Sequence, residues 1–361
     1  MATEVEIAPF PGFAALEAEW RALERRAAAP AIFQCWSWVG CLAEERFDDP
    51  VLLRARSGGR LTGLALFNRR AGRLLLTQSG DAAHDAPFIE HNAPLVATDA
   101  EADTEAALLR AAWRVPGVRR IVLGGVAPDA VVAVGGRALR SQIRSAPFAD
   151  LAAIRTAGGT YLASRSANTR QQIGRSLRRY GDAALVRAET ATEAQAWLDE
   201  LIVLHAATWE RRGKPGAFAD PFMRRFHAVL VARALADDQL DLLRITSARE
   251  VIGLLYNFRV GGRIFAYQSG LSHRPDAPQL KPGLTCHTLA IEAALAAGAE
   301  VYDFLGGDDR YKQSLATSAT ELCWVELVRR GSLLGVAAAL HNAARTLRDR
   351  HARKSQRAST T

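Results

Sequence analysis

Two stretches of alternating apolar and polar residues, 52–80 and 242–270, match each other at a constant offset of 190. Twelve of the 29 aligned positions are identical, and glycines interrupt both stretches at three shared positions. Alternation with a period of two predicts β-strands, and the glycines predict tight turns between them. Each stretch is therefore predicted to form three consecutive strands, which indicates an internal duplication.

The similarity continues into a helix and a further strand. The sequence Glu-Ala-Ala-Leu occurs at Glu105–Leu108 and Glu292–Leu295, and Leu-Gly-Gly occurs at Leu123–Gly125 and Leu305–Gly307. The order strand, strand, strand, helix, strand is thus present twice. This order predicts an α+β fold built from two related units.

The helix of the second unit begins in an unusual way. Pro282 and Gly283 break the preceding segment, and helical spacing of apolar residues follows from Leu284. The first N–H groups of a helix have no intrahelical partner and lie at the positive end of the helix dipole. Lys281 stands beside them, and no acid occurs nearby. Such a helix start favours an anion, most naturally a phosphate.

We interpret this anion as the pyrophosphate of an acyl-CoA. The helix is predicted to connect strands at 263–271 and 301–305, which places the anion at the carboxyl end of a sheet. The residues predicted to contact the cofactor are Gln268, Lys281, Pro282, Gly283, Leu284 and Thr285. The matching helix start of the first unit contains four acids that would repel a diphosphate, Asp99, Glu101, Asp103 and Glu105. Only the second unit is therefore expected to bind the cofactor.

Acyl transfer from a thioester to an amine needs a group that takes the amine proton and a group that protonates or shields the leaving thiolate. Tyr311 and Lys312 follow the predicted strand 301–305, where the thioester and the acceptor would meet. We predict that Tyr311 gives a proton to sulfur and that Lys312 stabilises negative charge. Asp85 from the first unit and Asp308 from the second are the candidate catalytic carboxylates.

Two further candidate substrate contacts each have a second interpretation. A helix predicted after Ser166 carries a row of arginines, Arg170, Arg175, Arg178 and Arg179. This row is either a solvated face or a contact with phosphates of the acceptor or of CoA. If it is a contact, Arg170 is our candidate substrate-binding residue. Asp303, inside a predicted strand, is either a buried hydrogen-bonded carboxylate or a substrate contact.

Composition and motifs exclude several classes of protein. The chain has 361 residues, of which 49% are apolar, enough for two domains. It has no apolar run long enough for a membrane span and no basic leader, so we expect a cytoplasmic location. Its four cysteines fit no zinc-ligand spacing, and no metal cofactor is expected. No nucleophile elbow or Walker loop is present, which argues against a covalent acyl-enzyme.

The positive charge is concentrated at the C-terminus. The net charge is +8, and the segment from His341 onward holds six bases and one acid, which leaves +3 for the rest of the chain. We therefore expect no nucleic-acid partner. The basic tail is either a solvated extension, which we favour, or a peripheral contact with an anionic membrane.

Several segments resemble one known family. His205–Gly213, which includes Trp209, the turn Leu280–Gly283 and the segment Tyr302–Lys312 resemble the CelD-like acetyltransferases associated with cellulose and exopolysaccharide synthesis. These proteins belong to the GNAT superfamily and are similar to the Fem-type aminoacyl transferases, which also join two GNAT units. The resemblance implies a tandem GNAT fold with two mixed, mostly antiparallel sheets and flanking helices. It also implies an acyl-CoA donor and an amine acceptor, with the aromatic-lysine pair at the reaction centre. Trp209 is our candidate substrate contact in the first of these segments.

We expect an N-terminal GNAT-like domain at 1–155 on the acceptor side, a C-terminal GNAT domain at 156–335 that binds acyl-CoA, and a basic tail at 336–361. The leading hypothesis is an acyl-CoA-dependent N-acyltransferase whose acceptor is an amino sugar or a surface-polysaccharide precursor, either a small molecule or lipid-linked. One alternative is a long-chain acyl-CoA N-acyltransferase that acts on a sphingoid base or another lipid amine. Others are an aminoacyl-tRNA-dependent transferase and a GNAT-like binding protein without catalysis.

Overall fold

A computed structural model describes residues 3–85, 89–248, 250–274, 276–277, 279–307, 309–336 and 339. The candidate Asp308 and the basic segment 340–361 lie outside the described residues. Within the described ranges, no helix combines the length and apolar character that crossing a bilayer requires.

The helices and strands follow the duplicated order that the sequence predicts. The first half contains β1 (Glu4–Ala8), α1 (Phe13–Glu24), α2 (Trp36–Arg46), β2 (Pro50–Ser57), β3 (Arg60–Arg70), β4 (Arg73–Leu76), α3 (Ala82–Asp85), β5 (Leu95–Val96), α4 (Thr104–Ala111), β6 (Arg120–Val126), α5 (Pro128–Val134) and β7 (Arg137–Asp150). The second half contains α6 (Leu151–Thr156), α7 (Ala167–Tyr180), β8 (Ala184–Arg187), α8 (Ala191–Glu210), α9 (Pro221–Ala236), β9 (Leu240–Ser247), β10 (Glu250–Val260), β11 (Arg263–Leu271), α10 (Pro282–Ala296), β12 (Val301–Asp303), α11 (Arg310–Leu315) and β13 (Ser318–Val328). Both predicted sets of three strands, β2 to β4 and β9 to β11, form antiparallel meanders.

The strands of the two halves join into one mixed sheet, whereas the sequence predicted two. Its order is β1-β2-β3-β4-β6-β13-β7-β12-β11-β10-β9-β8, and β5 pairs with β3. The halves join because each contributes its last strand to the other. β7 from the first half pairs with β12, β13 from the second half pairs with β6, and β7 and β13 pair with each other.

This exchange predicts that the halves depend on each other to fold. We expect residues 1–155, produced alone, to be insoluble or only partly folded, because β6 then has no β13 beside it and exposes a free edge. Co-expression with residues 156–361 should restore a soluble, folded complex. Solubility and far-UV circular dichroism of each fragment, alone and together, measure this. Cooperative thermal unfolding of 1–155 by itself would contradict the expectation.

One hydrophobic core spans both halves on one face of the sheet. It contains side chains from α1, α2, α8 and α9, and its aromatic residues Trp20, Phe33, Trp36 and Trp38 are each at most 2% exposed. The opposite face carries a separate core for each half, under α4 and α5 in the first and under α7 and α10 in the second. The four cysteines are unpaired and buried in these cores.

Candidate active site

The second half contains a slot between two diverging strands. β11 and β12 pair in parallel over Arg263–Phe265 and Val301–Asp303. β12 ends there, but β11 continues to Leu271, so the described structure places no strand beside the rest of that edge. A bulge at Tyr267 bends β11 within this region. The backbone groups of this free edge could hydrogen-bond the amides of an extended ligand. Gln268, a predicted cofactor contact, lies on this part of β11.

Helix α10 starts against the end of β11 without a side-chain cap. A Cβ added at Gly283, in the first turn, would lie 3.4 Å from the side chain of Leu271 at the end of β11. The N-cap residue Lys281 makes no side-chain capping bond, and the first turn contains no acid. The helices α8 and α9 differ, since the side chains of Thr190 and Asp220 accept N–H groups at their starts. The predicted start of α10, with no side-chain cap and no acid in its first turn, is thus confirmed, and we call it the bare helix start.

Two backbone donors are available at this helix start. The first intrahelical bond is that of the Thr285 N–H, which donates to the N-cap carbonyl at 3.1 Å. The Thr285 hydroxyl lies 2.8 Å from the hydroxyl of Ser176 on α7, which holds the two helices together. Pro282 has no N–H. The N–H groups of Gly283 and Leu284 therefore lack an intrahelical partner and could donate to a group outside the helix.

Three positive charges act on His273, which follows β11 at the end of the slot where α10 begins, and we call this end the mouth of the slot. The pKa of His273, which follows β11, is lowered first by partial burial and then by the charges of Arg211, Arg212 and Lys281. One of these three residues, Lys281, is also the N-cap residue of α10. The arrangement is electrostatically suited to a diphosphate.

The corresponding opening in the first half is filled by the chain itself. β4 and β6 also diverge after three parallel pairs. A Cβ added at Gly124 would lie 2.7 Å from the side-chain amide of Gln78, the counterpart of Gln268, and one at Gly125 would lie 2.3 Å from the carbonyl oxygen of Ile89. Among the described residues, the first half therefore leaves no open slot at this position, and cofactor binding by the second half alone stays a prediction.

Lys312 lies where the end of β12 meets the first half. Its Nζ donates to the carbonyl of Gly306 at 2.9 Å, and the N–H of Gly306 donates to the carboxylate of Glu90. Burial lowers the pKa of Lys312, and the charges of Glu90, Asp309 and Asp303 oppose this effect. Glu90 is 4% exposed, and burial raises its pKa, an effect that the Gly306 N–H and Lys312 oppose. A buried acid and a half-buried amine are thus both held by Gly306, the acid by its N–H and the amine by its carbonyl.

Asp303 is buried and hydrogen-bonded, which is the first of the two interpretations that the sequence left open. It is 1% exposed, and its Oδ1 accepts the N–H of Leu305 at 2.8 Å. Its Oδ2 accepts a hydrogen bond from Arg263 at 3.1 Å and lies 3.1 Å from Nε2 of His91, in the first half. Asp303 therefore fixes the position of the loop that leads to Lys312.

Tyr311 lies beside this loop with its ring stacked on His287, at 5.6 Å between centroids and an interplanar angle of 24°. Burial lowers the pKa of His287 to about 3, so this imidazole is neutral, and its Nδ1 lies 3.0 Å from the hydroxyl of Tyr302. Partial burial raises the pKa of Tyr311, which the charge of Arg212 opposes. Tyr311 therefore keeps its proton at physiological pH, as a proton donor requires.

The candidate carboxylate Asp85 caps a turn. Its Oδ1 accepts the N–H and the hydroxyl of Ser79 at 2.7 and 2.8 Å, and its Oδ2 accepts the N–H of Gly80 at 2.6 Å. Burial raises its pKa, and these three donors oppose that shift. The structure thus engages both oxygens of Asp85 locally, and its catalytic role stays a prediction.

Trp209 and Arg170 lie on the second half, near its surface. Arg212 and Lys214 lie 5.3 and 5.9 Å from the Trp209 ring, which places this aromatic beside the cations at the mouth of the slot. Arg170 is exposed, and its guanidinium donates to the carbonyl of Arg165 at 2.6 Å. Substrate contacts by both residues stay predictions.

His205 on α8 contacts both the strand β11 and the loop that follows α8. Its Nδ1 lies 3.1 Å from the carbonyl oxygen of Ser269 on β11, and its Nε2 accepts the N–H of Ala217 at 3.1 Å. Because one nitrogen faces an acceptor and the other a donor, the ring is neutral with its proton on Nδ1. His205 therefore positions the segment that carries Trp209 and Arg212.

Glu90 and His91 are the site residues that sequence reasoning missed. They lie in a short segment between the first meander and β5, without a periodic pattern. In the sequence they appear only as an acid next to a histidine. The structure adds that His91 adopts a positive φ of 48°. Among the described residues, no group of three or more histidine, cysteine or acidic side chains could hold a metal ion.

Comparison with family models matches the part of the site that the second half contributes. Residues 167–313 match a model described as an acetyltransferase (GNAT) domain. This segment begins at α7 and ends within α11, so it includes the slot, the bare helix start and Lys312. No curated protein matched the sequence.

Solved structures show the same fold over nearly the whole chain. The chain is similar to FemX with 12% identity and a TM-score of 0.60, over 89% of this chain and 97% of that one. It is also similar to L-PGS from Bacillus licheniformis with 13% identity and a TM-score of 0.54, over 93% of this chain and 97% of that one. Together with the duplication and the GNAT match in the second half, these similarities show a tandem GNAT fold, as the sequence predicted.

Proposed function

We propose that the protein is an N-acyltransferase that moves an acyl group from an acyl-CoA to an amine, and that the second half carries the reaction. The observation that supports this most is the difference between the duplicated halves. The second half has an open slot and a bare helix start, whereas Gln78 and Ile89 fill the equivalent space in the first half.

The residues present fit an acyl-CoA. The N–H groups of Gly283 and Leu284 and the side chain of Lys281 would hold its diphosphate, and the free edge of β11 would bind the amides of its pantetheine arm. This arrangement leads the thioester toward the end of β12, where Lys312 and Glu90 lie.

The chemistry is an attack of the amine nitrogen on the thioester carbonyl. The C–N bond forms as the amine loses a proton, and the C–S bond then breaks and releases the thiolate. Glu90 accepts the amine proton in this proposal, because its raised pKa makes it a stronger base than an exposed glutamate. Lys312 stabilises the negative charge that develops, and Tyr311 gives a proton to sulfur.

The acceptor in this proposal is an amino sugar or a surface-polysaccharide precursor, in line with the resemblance to CelD-like proteins. A long-chain lipid amine is the alternative acceptor. The test is to incubate the protein with acetyl-CoA or palmitoyl-CoA and a panel of both amine types, following thiol release and product mass. Amine-dependent thiol release is expected. If millimolar CoA gives no thermal shift and no amine releases thiol, the proposal is wrong.

Replacing Gly283 by aspartate should weaken CoA binding by about 10- to 100-fold while changing the saturated rate far less. The new carboxylate would stand beside the two free N–H groups and repel the diphosphate, as the acids of the first half would. Gly283→Ala is the matched control, since its Cβ would lie at an ordinary 3.4 Å from Leu271 without adding charge. CoA titrations by thermal shift measure the affinity, and equal affinities for the two variants would argue against the site.

A further inference from the structure

The central strands β7 and β13 present a row of polar and aromatic side chains close to the reaction centre. Gln142 lies opposite Trp324 in their pairing, and further along β7 Phe148 lies opposite Asp303 of β12. Side chains at alternate positions of a strand share a face of the sheet. Arg144, Gln142 and Trp324 therefore share the face on which Asp303 lies, and we call these three residues the anion platform.

Arg144 in the anion platform is held in place by its neighbours. Its guanidinium carbon lies 4.9 Å from the centroid of the Trp324 ring, and its Nη2 donates to Oε1 of Gln142 at 3.2 Å. On the same face, Arg120 pairs with Glu326 at 2.8 Å. Among the residues that the structure describes, no carboxylate lies within ion-pair distance of Arg144. Arg144 and Trp324 are both half-buried, so a fixed cation and an aromatic ring face the same space.

The anion platform lies next to the proposed catalytic groups. The N–H of Gly307 donates to the carbonyl of Ser145 at 2.9 Å, and the neighbouring carbonyl of Gly306 holds Lys312. The positive charge of Arg144 is also one of the smaller causes of the lowered pKa of Lys312. A group bound by Arg144 would therefore belong to a molecule that also reaches Lys312.

We infer that the anion platform recognises the acceptor, and that the acceptor carries an anionic group near its amine. The guanidinium fork of Arg144 would bind a phosphate or carboxylate, and Trp324 would pack against the adjoining ring or chain. The diphosphate of the acyl donor is not the anion that Arg144 would bind, because the proposed function places that diphosphate at the start of α10. This inference rests on the proposed function and adds the acceptor's charge to it.

Matched pairs of amines test this inference. Glucosamine and glucosamine 6-phosphate form one pair, and sphinganine and sphinganine 1-phosphate form the other, which separates a sugar source of the anion from a lipid source. Binding is measured by equilibrium dialysis without acyl donor, and KM is measured with acetyl-CoA or palmitoyl-CoA. In at least one pair, the phosphorylated member should bind about 10- to 100-fold more tightly than its neutral partner.

Three variants test whether Arg144 causes the preference for the phosphorylated amine. Arg144→Gln should abolish the preference, and Arg144→Lys should keep part of it, because it retains the charge but not the fork. Arg140→Gln is the matched control, an exposed arginine on the same strand and face but further from Lys312, and should keep the full preference. Thermal unfolding of each variant shows whether the fold is intact.

The outcomes separate this inference from the proposed function. Thiol release without any preference in either pair overturns the inference and leaves the proposed function standing. Tight, Arg144-dependent binding of a phosphorylated amine without thiol release supports the inference and counts against the proposed function. A preference that survives Arg144→Gln also overturns the inference.

Discussion

Replacing Lys312 by alanine is expected to lower kcat by about 100- to 1,000-fold while CoA affinity changes by less than about threefold. Lys312 is held by the carbonyl of Gly306 at the end of β12, whereas the diphosphate would bind at the start of α10. The ammonium group therefore acts on charge that develops during the reaction and not on the bound donor. Steady-state thiol release gives kcat, and a thermal-shift titration gives the CoA affinity.

Loss of Lys312 also leaves Glu90 buried without its cation, so a lower stability must be separated from a lower rate. Lys312→Met preserves most of the side-chain volume, and its thermal unfolding can be compared with that of Lys312→Ala. If the folded variants lose CoA affinity and kcat to the same degree, Lys312 contributes to binding in general and the assignment to the reaction centre is wrong. A kcat close to that of the parent protein would exclude a catalytic role.

Much of the architecture is predictable because it is specified locally. The meander of β9 to β11 follows from alternation and glycine turns, and the predicted cap Ser166 accepts the N–H of Thr169 at the start of α7. The bare start of α10 likewise depends on a few neighbouring residues, Lys281 to Thr285, and the structure confirms it. Such features need no knowledge of distant parts of the chain.

The partners of β7 and β13 are not predictable in this way. A period-two pattern specifies which face of a strand is buried, but not the strand beside it. Ser318 pairs with Phe148, and Val325 pairs with Leu123, so each pair is separated by about half of the chain. The exchange of last strands therefore converts the two predicted sheets into one, although each local strand was expected.

Glu90 was not predicted because its partner is also distant in sequence. Its carboxylate accepts the N–H of Gly306, which is 216 residues away in sequence. Asp85 is the first-half carboxylate that the sequence offers, yet the structure engages both of its oxygens in its own turn. A carboxylate becomes a candidate base through its burial and partners, which only the fold reveals.

The repeated Leu-Gly-Gly motif shows how the duplicated halves have diverged. In the first half, Gly124 and Gly125 make room for Gln78 and for the backbone of Ile89, which close the opening between β4 and β6. In the second half, the equivalent Gly306 lies against Glu90 and its carbonyl holds Lys312. The segment that closes the first slot thus also supplies the acid beside the second.

Replacing Glu90 by glutamine is expected to lower kcat by about 100-fold or more at neutral pH. The glutamine oxygen can still accept the N–H of Gly306, so the fold should persist while the basic group is lost. Burial raises the pKa of Glu90, so its carboxylate forms at a higher pH than that of an exposed glutamate. The ratio of parent to variant rate should therefore rise with pH through this pKa and then level off. The acceptor's own titration affects both rates equally and cancels in the ratio.

At alkaline pH the parent rate should fall, because burial lowers the pKa of Lys312 and the ammonium is lost earlier than in an exposed lysine. Asp85→Asn is the matched control for the acid limb, since it removes the other candidate carboxylate of the first half. It should lower stability, because it weakens the turn that Ser79 and Gly80 form, but leave the rate ratio independent of pH. If Asp85→Asn gives the pH-dependent ratio and Glu90→Gln does not, Asp85 is the base, as the sequence suggested. A flat ratio for both variants would mean that the amine loses its proton to water, and Glu90 would then act only by holding the loop of Lys312.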